Sequence, residues 1–486
     1  MSANTNSRDA DPTVADPRAV AAGSTLSGNL GTGAIVFMVM AAAAPLTVIG
    51  GNVPLAIGIG NGAGAPVAFL IAAAVLLLFS IGFVAMTPHV REAGAFFSYV
   101  TEGIGKRAGM GIAFVALIAY TAIQVGIYGY LGWAVNDTVQ FYGGPDVPWP
   151  VYAFAALVIV AVLGYRHIEL SAKVLGVALI CEVGIVVIMD ALIFGSGGAE
   201  GINVESFTSS TITSGSIGVP ILFALTGFIG FEATAVFRDE ARDPARTIPR
   251  ATYIAVAVIG SFYAITCWAM VLGFGVDDVV GVAEATLAGE SNMLLGLADE
   301  YLGRVGRDVV NILLLTSLFA CVLSFHNVIA RYKYVLARKG LLPESIGRVH
   351  ARHDSPSISS LVQTVTAALI LCLFAVLDLD PLVGVFGSMA GVATMGMVLL
   401  MLSTSLAVIF FFTRRSDLRE GHLWSTRVTP VLACLGLLLS LYLVVSNFTL
   451  VTGGSAGVST FLGLIPVVGF IIGYVRGQGA HVARKP

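Results

Sequence analysis

Two carboxylic acids, Glu182 and Glu232, stand well within long apolar runs of this 486-residue chain, with Asp190 nearer an outer end. An ionisable side chain in hydrocarbon is costly to keep and by default has a function, and a carboxyl that alternates between wet and closed surroundings can load and release a proton. Two apolar runs also carry breaks at mid-length. One reads Ala41-Ala42-Ala43-Ala44-Pro45-Leu46-Thr47-Val48-Ile49-Gly50-Gly51, the other Leu225-Thr226-Gly227-Phe228-Ile229-Gly230-Phe231-Glu232. Proline removes a donor and clashes with the preceding turn, so helices interrupted there leave backbone groups unpaired. A half-helix that starts inside a membrane aims N–H groups at an anion, and an unwound end offers carbonyls to a cation. The chemistry on offer is reversible binding of a charged small molecule, coupled to proton exchange. At Glu232 a second role stays open, a hydrogen-bonding brace for the broken helix.

The elements that hold these groups follow from composition. Apolar residues make up 57% of the chain and Asp, Glu, Lys and Arg only 11%, with a mean hydropathy of +0.89. Charge that sparse cannot cover a water-facing surface, and runs of about 20 apolar residues mark helices that cross a bilayer. The expected class is an all-α integral membrane protein. No basic patch points to nucleic acid. Cys181, Cys267, Cys321, Cys372 and Cys434 stand singly in apolar stretches, without metal or redox spacing, so neither a metal nor a cofactor is expected.

Apolar runs separated by polar or Gly/Pro punctuation predict twelve spans, near 33–57, 64–88, 109–136, 149–165, 170–194, 215–237, 251–275, 307–335, 356–377, 381–412, 427–447 and 456–475. With a cytoplasmic N-terminus, all but Arg304 and Arg307 of the 26 Lys and Arg residues fall on inside segments, which places both termini in the cytoplasm. The two broken runs are the first and the sixth, five spans apart. Matched interruptions of this kind are the sequence mark of a five-plus-five inverted-repeat transporter fold with its site at the broken helices. The expected organisation is a disordered cytoplasmic tail at 1–30, an inverted-repeat core at 31–412, spans eleven and twelve at 413–475, and a second tail at 476–486. No signal peptide is visible in the polar N-terminal stretch.

Three segments carry a resemblance to the amino acid–polyamine–organocation permeases, covering about residues 30 to 475. Arg91-Glu92-Ala93-Gly94-Ala95-Phe96-Phe97-Ser98-Tyr99 resembles the family's segment after the second span. Phe231-Glu232 with Asp239-Glu240-Ala241-Arg242-Asp243-Pro244-Ala245-Arg246-Thr247-Ile248-Pro249-Arg250-Ala251 resembles the signature after the sixth, and Ser324-Phe325-His326-Asn327 with Arg331-Tyr332 and Gly340-Leu341-Leu342-Pro343 the run in and after the eighth. The first span departs, because the family's Gly-Ser/Thr-Gly break is replaced by Ala43-Ala44-Pro45-Leu46-Thr47, where Pro45 takes over the breaking role.

The resemblance implies a substrate carboxylate held by backbone amides at the break in the first span, the segment of Ala44, Pro45, Leu46, Thr47 and Val48, and an ammonium held by carbonyls exposed in the sixth, the segment of Thr226, Gly227, Phe228, Ile229 and Gly230. Phe223 or Phe228 would close over it. Tyr120 and Gln124, one turn apart in the third span, could face the same site or bond neighbouring helices. Some proton-coupled relatives carry a lysine at the position of Glu182, where it is thought to replace sodium. Here the acid could titrate, bind sodium, pair with a cationic substrate, or pack as a hydrogen-bonded acid. Ser317 and Ser324 are hydroxyl candidates for an ion, and His326, without a second ligand, is expected to make a structural hydrogen bond. Arg238 to Arg250 and Arg331 to Arg352 are expected to set topology and to form inner-gate salt bridges with Asp239, Glu240 and Asp243.

The function expected is secondary active transport of amino acids or related amines across the plasma membrane, with H+ as the coupling ion and Na+ open. Two mid-membrane acids point to cationic or neutral substrates. An amino acid/amine antiporter, a polyamine importer and a non-transporting sensor are the competing readings; an enzyme is not expected, since no metal motif or nucleophile with its base is visible.

Overall fold

The structure is a computed structural model that describes residues 30–90, 96–166, 172–232, 234, 241–349, 356–418 and 422–478. Most of both predicted tails, residues 91–95 of the segment after the second span, and Arg238, Asp239 and Glu240 lie outside the described residues. Among the described residues the chain is helical throughout, without a strand; an isolated bridge pairs Leu30 with Ala241. Among the described residues nine helices are long and apolar enough to cross a membrane, and Trp149–Tyr165 is a shorter apolar one. A helix satisfies its own backbone groups, which hydrocarbon cannot do, so continuous Leu, Ile, Val, Ala and Phe runs have no other stable form there.

In chain order the helices used below are α1 (Thr32–Ala42), α2 (Ala65–Met86), α3 (Phe96–Gly103), α4 (Lys106–Phe141), α5 (Trp149–Tyr165), α6 (Ala172–Ser196), α7 (Gly218–Thr226), α8 (Pro244–Phe274), α9 (Val279–Leu287), α10 (Met293–Arg338), α11 (Ser357–Val376), α12 (Ser388–Arg414), α13 (Thr429–Ser446) and α14 (Ala456–Arg476). The short helices α3 and α9 lie between the apolar runs. α10 begins well before the apolar run at 307–335, because Gly303 (φ 69°, ψ 176°) turns the chain inside it. That backbone conformation is one glycine adopts readily.

α4 lies at the centre, with α10, α12 and α14 against it, while α2 packs on α8 and α13. Large apolar side chains stay exposed on the rim, as with Val158 on α5, Leu369 on α11 and Leu439 on α13. These residues are the surface that a lipid bilayer would cover.

Both predicted interruptions are present. α1 ends at Ala42, Ala44 turns left-handed (φ 46°, ψ 72°), and the chain resumes at Pro45–Thr47. Pro45 has no N–H and its ring crowds the carbonyl of Ala41, so α1 cannot run through it. The freed Ala43 carbonyl is recovered by α8, whose Tyr263 hydroxyl donates to it at 3.2 Å. Beyond Pro45 the chain passes through π-helical turns at Val48–Asn52 and Ile57–Asn61. α7 stops at Thr226 and gives way to tight turns, ending at Gly230 with φ +108°.

Candidate functional site

The two breaks face each other. A Cβ at Gly227 would lie 3.0 Å from Val48, and one at Gly230 3.4 Å from Ala42. Asn52 bridges them, its Nδ2 donating to the Phe223 carbonyl at 2.9 Å. Between the breaks is a cavity of about 30 Å³. The first break contributes Ala42, Ala43, Ala44, Thr47, Val48 and Asn52, and the second contributes Thr226 and Ile229. Ile123 and Ile127 of α4, Cys321 and Phe325 of α10, and Phe386 of the Pro381–Gly387 turn close the other sides.

The cavity's polarity is low. Asn52 is committed to Phe223, and Thr226 donates to the Leu222 carbonyl while pairing with Thr394 of α12. What the cavity offers a ligand is backbone at two helix breaks and a wall of Ile and Phe side chains.

Glu182 stands beside the first break. Thr47 Oγ1 donates to Ser317 Oγ at 3.5 Å, and Ser317 Oγ donates to Glu182 Oε2 at 3.1 Å. The Leu46 backbone amide hydrogen-bonds the same carboxylate. A carboxylate at the start of a half-helix meets unpaired N–H groups and the positive end of the dipole. Glu182 therefore ties α6 and α10 to the resumed first span.

Glu232 is held differently. Tyr120 donates to Oε1 at 2.5 Å and the Gly230 N–H to Oε2 at 3.0 Å, so both oxygens are used within the second break. Tyr120 also packs edge-on against Tyr332 and tilted against Phe325.

The predicted site residues separate accordingly. Ala44, Thr47, Val48, Thr226 and Ile229 line the cavity, while Pro45, Leu46, Gly227, Phe228 and Gly230 form the breaks behind it. Tyr120 turns to Glu232. Gln124 accepts from Gln363 Nε2 at 2.6 Å, and Gln363 in turn accepts from buried Lys333 at 2.8 Å. The aromatic rings on the cavity are Phe325 and Phe386, and Phe223 and Phe228 are buried outside its lining. Ser324 is exposed, whereas Ser317 is buried. His326 makes the expected structural bond, 2.8 Å to Ser360. Asp243 meets Arg246 at 3.8 Å with both side chains exposed.

Sequence reasoning missed Asn52, Ile123, Ile127, Cys321, Phe325 and Phe386 as lining residues. Ile123 and Ile127 share the helical stripe of Tyr120 and Gln124, at i+3 and i+7 from Tyr120, so that spacing was the available signal. Nothing in the local sequence marks Phe386.

A family model described as amino acid permease matches residues 30–472. An uncharacterized transporter of Mycobacterium tuberculosis is 28% identical over 54% of this chain and 60% of its own length, so the chain spans about 60% of that relative. The branched-chain amino acid permease of Bacillus subtilis is 22% identical over 79% of this chain and 81% of its own. The low-affinity putrescine importer of Escherichia coli is 20% identical over 61% of this chain and 64% of its own.

Proposed function

Because the chain belongs to the amino acid permease family, we propose that it imports a neutral, apolar amino acid across the plasma membrane by proton-coupled alternating access. The observation that carries this reading is the cavity shared by the two helix breaks, walled by Ile123, Ile127, Phe325 and Phe386. In the proposed complex the substrate carboxylate meets backbone amides of the first break other than that of Leu46, which Glu182 holds, and its ammonium meets carbonyls exposed from Thr226 to Gly230. Its side chain lies against the Ile and Phe wall. A side chain bearing an amine would find no carboxylate in that wall, since Glu182 and Glu232 stand outside the lining with hydrogen-bond partners of their own. This favours neutral over cationic substrates.

The proposed architecture is twelve spans with both termini cytoplasmic, an inverted-repeat core at 31–412 and two further spans at 413–475. Glu182 is the proposed coupling acid. Its bonds to Ser317 and to the Leu46 amide join three elements at the first break, so protonation there weakens the tie and lets the break rearrange. Glu232 braces the second break through Tyr120 and Gly230 and couples through the opening of that brace.

The test is uptake by proteoliposomes of labelled neutral, basic and acidic amino acids and putrescine, under an imposed proton gradient, with and without sodium. Accumulation of the neutral apolar pool driven by protons alone is expected. Accumulation of putrescine or basic amino acids would overturn the substrate class, a sodium requirement the coupling ion, and uptake only into preloaded vesicles the import mode.

A further inference from the structure

Along α6 the buried positions Leu179, Glu182, Val186, Met189, Asp190 and Ile193 form one helical stripe. Glu182 and Asp190, eight positions apart, therefore share a face and lie about 12 Å apart along the axis. Both are nearly sealed, at 5% and 6% exposure. α8 packs along this face and supplies a group near each acid. Tyr263 stands near Glu182 while donating to the Ala43 carbonyl at 3.2 Å, and Thr266, one turn on, donates to Asp190 Oδ2 at 2.7 Å.

Asp190 differs from the other two intramembrane acids in one respect. Its Oδ1 is buried with no hydrogen-bond partner among the described residues, whereas both oxygens of Glu232 are satisfied. An unpaired buried carboxylate oxygen costs free energy and asks for a donor, such as a water or a proton. Asp190 is also nearer the Ser196 end of α6, which is the outer end when the termini are cytoplasmic.

We propose that Asp190 is a proton-relay residue that loads Glu182 from the outer side along the seam between α6 and α8. The inference rests on the reading of Glu182 as the coupling acid. In the outward-facing stage the Asp190 carboxylate takes a proton from water entering at the Ser196 end. It then gives that proton, through intervening water, to the Glu182 carboxylate, and returns to its ionised form. About 12 Å is too far for direct transfer, so the seam must admit water at that stage. Thr266 positions Asp190 with one oxygen held and the other free. The titratable groups interacting electrostatically with Glu182 are Tyr263 of α8 and Cys321 of α10, and the described neighbour of Asp190 is the Thr266 hydroxyl.

The experiment uses the full-length protein in proteoliposomes with a pH-sensitive dye in the lumen, L-leucine as substrate, and the wild type beside Asp190→Asn, Asp190→Glu, Thr266→Val and Glu182→Gln. Asp190→Asn is expected to slow leucine-driven lumen acidification by about tenfold or more. Leucine/leucine exchange at equal pH should fall far less, and Asp190→Glu should restore part of the acidification. Thr266→Val, which removes the donor to Oδ2, should slow acidification less than Asp190→Asn does and change its pH profile. Wild-type acidification in Asp190→Asn would overturn the relay alone, as would a parallel loss of exchange that Asp190→Glu does not restore. A wild type that exchanges leucine without moving protons would overturn the reading of Glu182 together with the relay.

Discussion

The Tyr120 hydroxyl donates to Glu232 Oε1 at 2.5 Å, which ties the central helix α4 to the second break, while Oε2 accepts the Gly230 N–H at 3.0 Å. One carboxylate thus holds a backbone turn and a neighbouring helix together. A hydrogen bond to a charged group contributes about 1.5–3 kcal/mol, and removing one partner leaves the other buried and unpaired. Tyr120→Phe and Glu232→Gln are each expected to lower leucine uptake by about tenfold or more, and the double variant to be little worse than either single. Uptake kinetics of the four proteins in vesicles measure that coupling. Additive losses would show that the two side chains act independently.

Glu182 bonds at the first break instead, through Ser317 and the Leu46 amide. If proton loading there drives accumulation, wild-type uptake falls as external pH rises, because fewer carriers are protonated on the outer side. Glu182→Gln, a permanently neutral mimic of the loaded acid, is expected to keep exchange and to lose both accumulation against a gradient and the pH dependence of uptake. Initial rates across a pH series, with and without an imposed gradient, decide this. A pH profile unchanged from the wild type would remove Glu182 from coupling.

Much of this was readable in the chain because hydrocarbon leaves the backbone few options. The long apolar runs could only become helices, and Pro45 and the Gly227–Gly230 stretch marked where two of them break. The side-chain partners were harder to read. Tyr120 and Gln124 carry polarity at the right spacing to face a site. Whether each turns to the cavity, to Glu232 or to Gln363 depends on the rotation of α4 against α10 and α11, which no local pattern encodes. Phe386 illustrates the other gap. It reaches the cavity from a turn remote in sequence, and apolar character alone does not distinguish a site wall from core.

The paired glycines of the first span are packing positions. A Cβ at Gly51 would come within 2.8 Å of the Tyr130 ring and 2.9 Å of Phe386, two aromatics already 5.3 Å apart. Neither ring can retreat without disturbing the other, so Gly51→Ala overpacks a filled interface, at about 1–3 kcal/mol. A lowered thermal unfolding midpoint in detergent is expected. Gly184 of α6 is the control, since nothing lies within 4 Å of its added Cβ. There the alanine should be neutral or stabilising by about 0.5–1 kcal/mol, through helix propensity. Equal midpoints for the two variants would contradict the packing assigned to Gly51.

Ile127 offers the sharpest test of substrate class, because it lines the cavity one turn beyond Ile123 without a hydrogen-bonding duty. Trimming it to alanine deepens the wall beside the expected side-chain position and leaves both helix breaks untouched. A methylene in an apolar pocket is worth about 1–3 kcal/mol of discrimination. Ile127→Ala should therefore shift the ratio of phenylalanine to alanine uptake by about tenfold or more in favour of the larger substrate. The change should fall on KM, since the backbone groups that hold the common carboxylate and ammonium are unaltered. Competition assays against labelled leucine measure the shift. If the ratio stays fixed while uptake of all substrates falls together, Ile127 supports the helix packing and the selective wall must lie at Phe325 and Phe386.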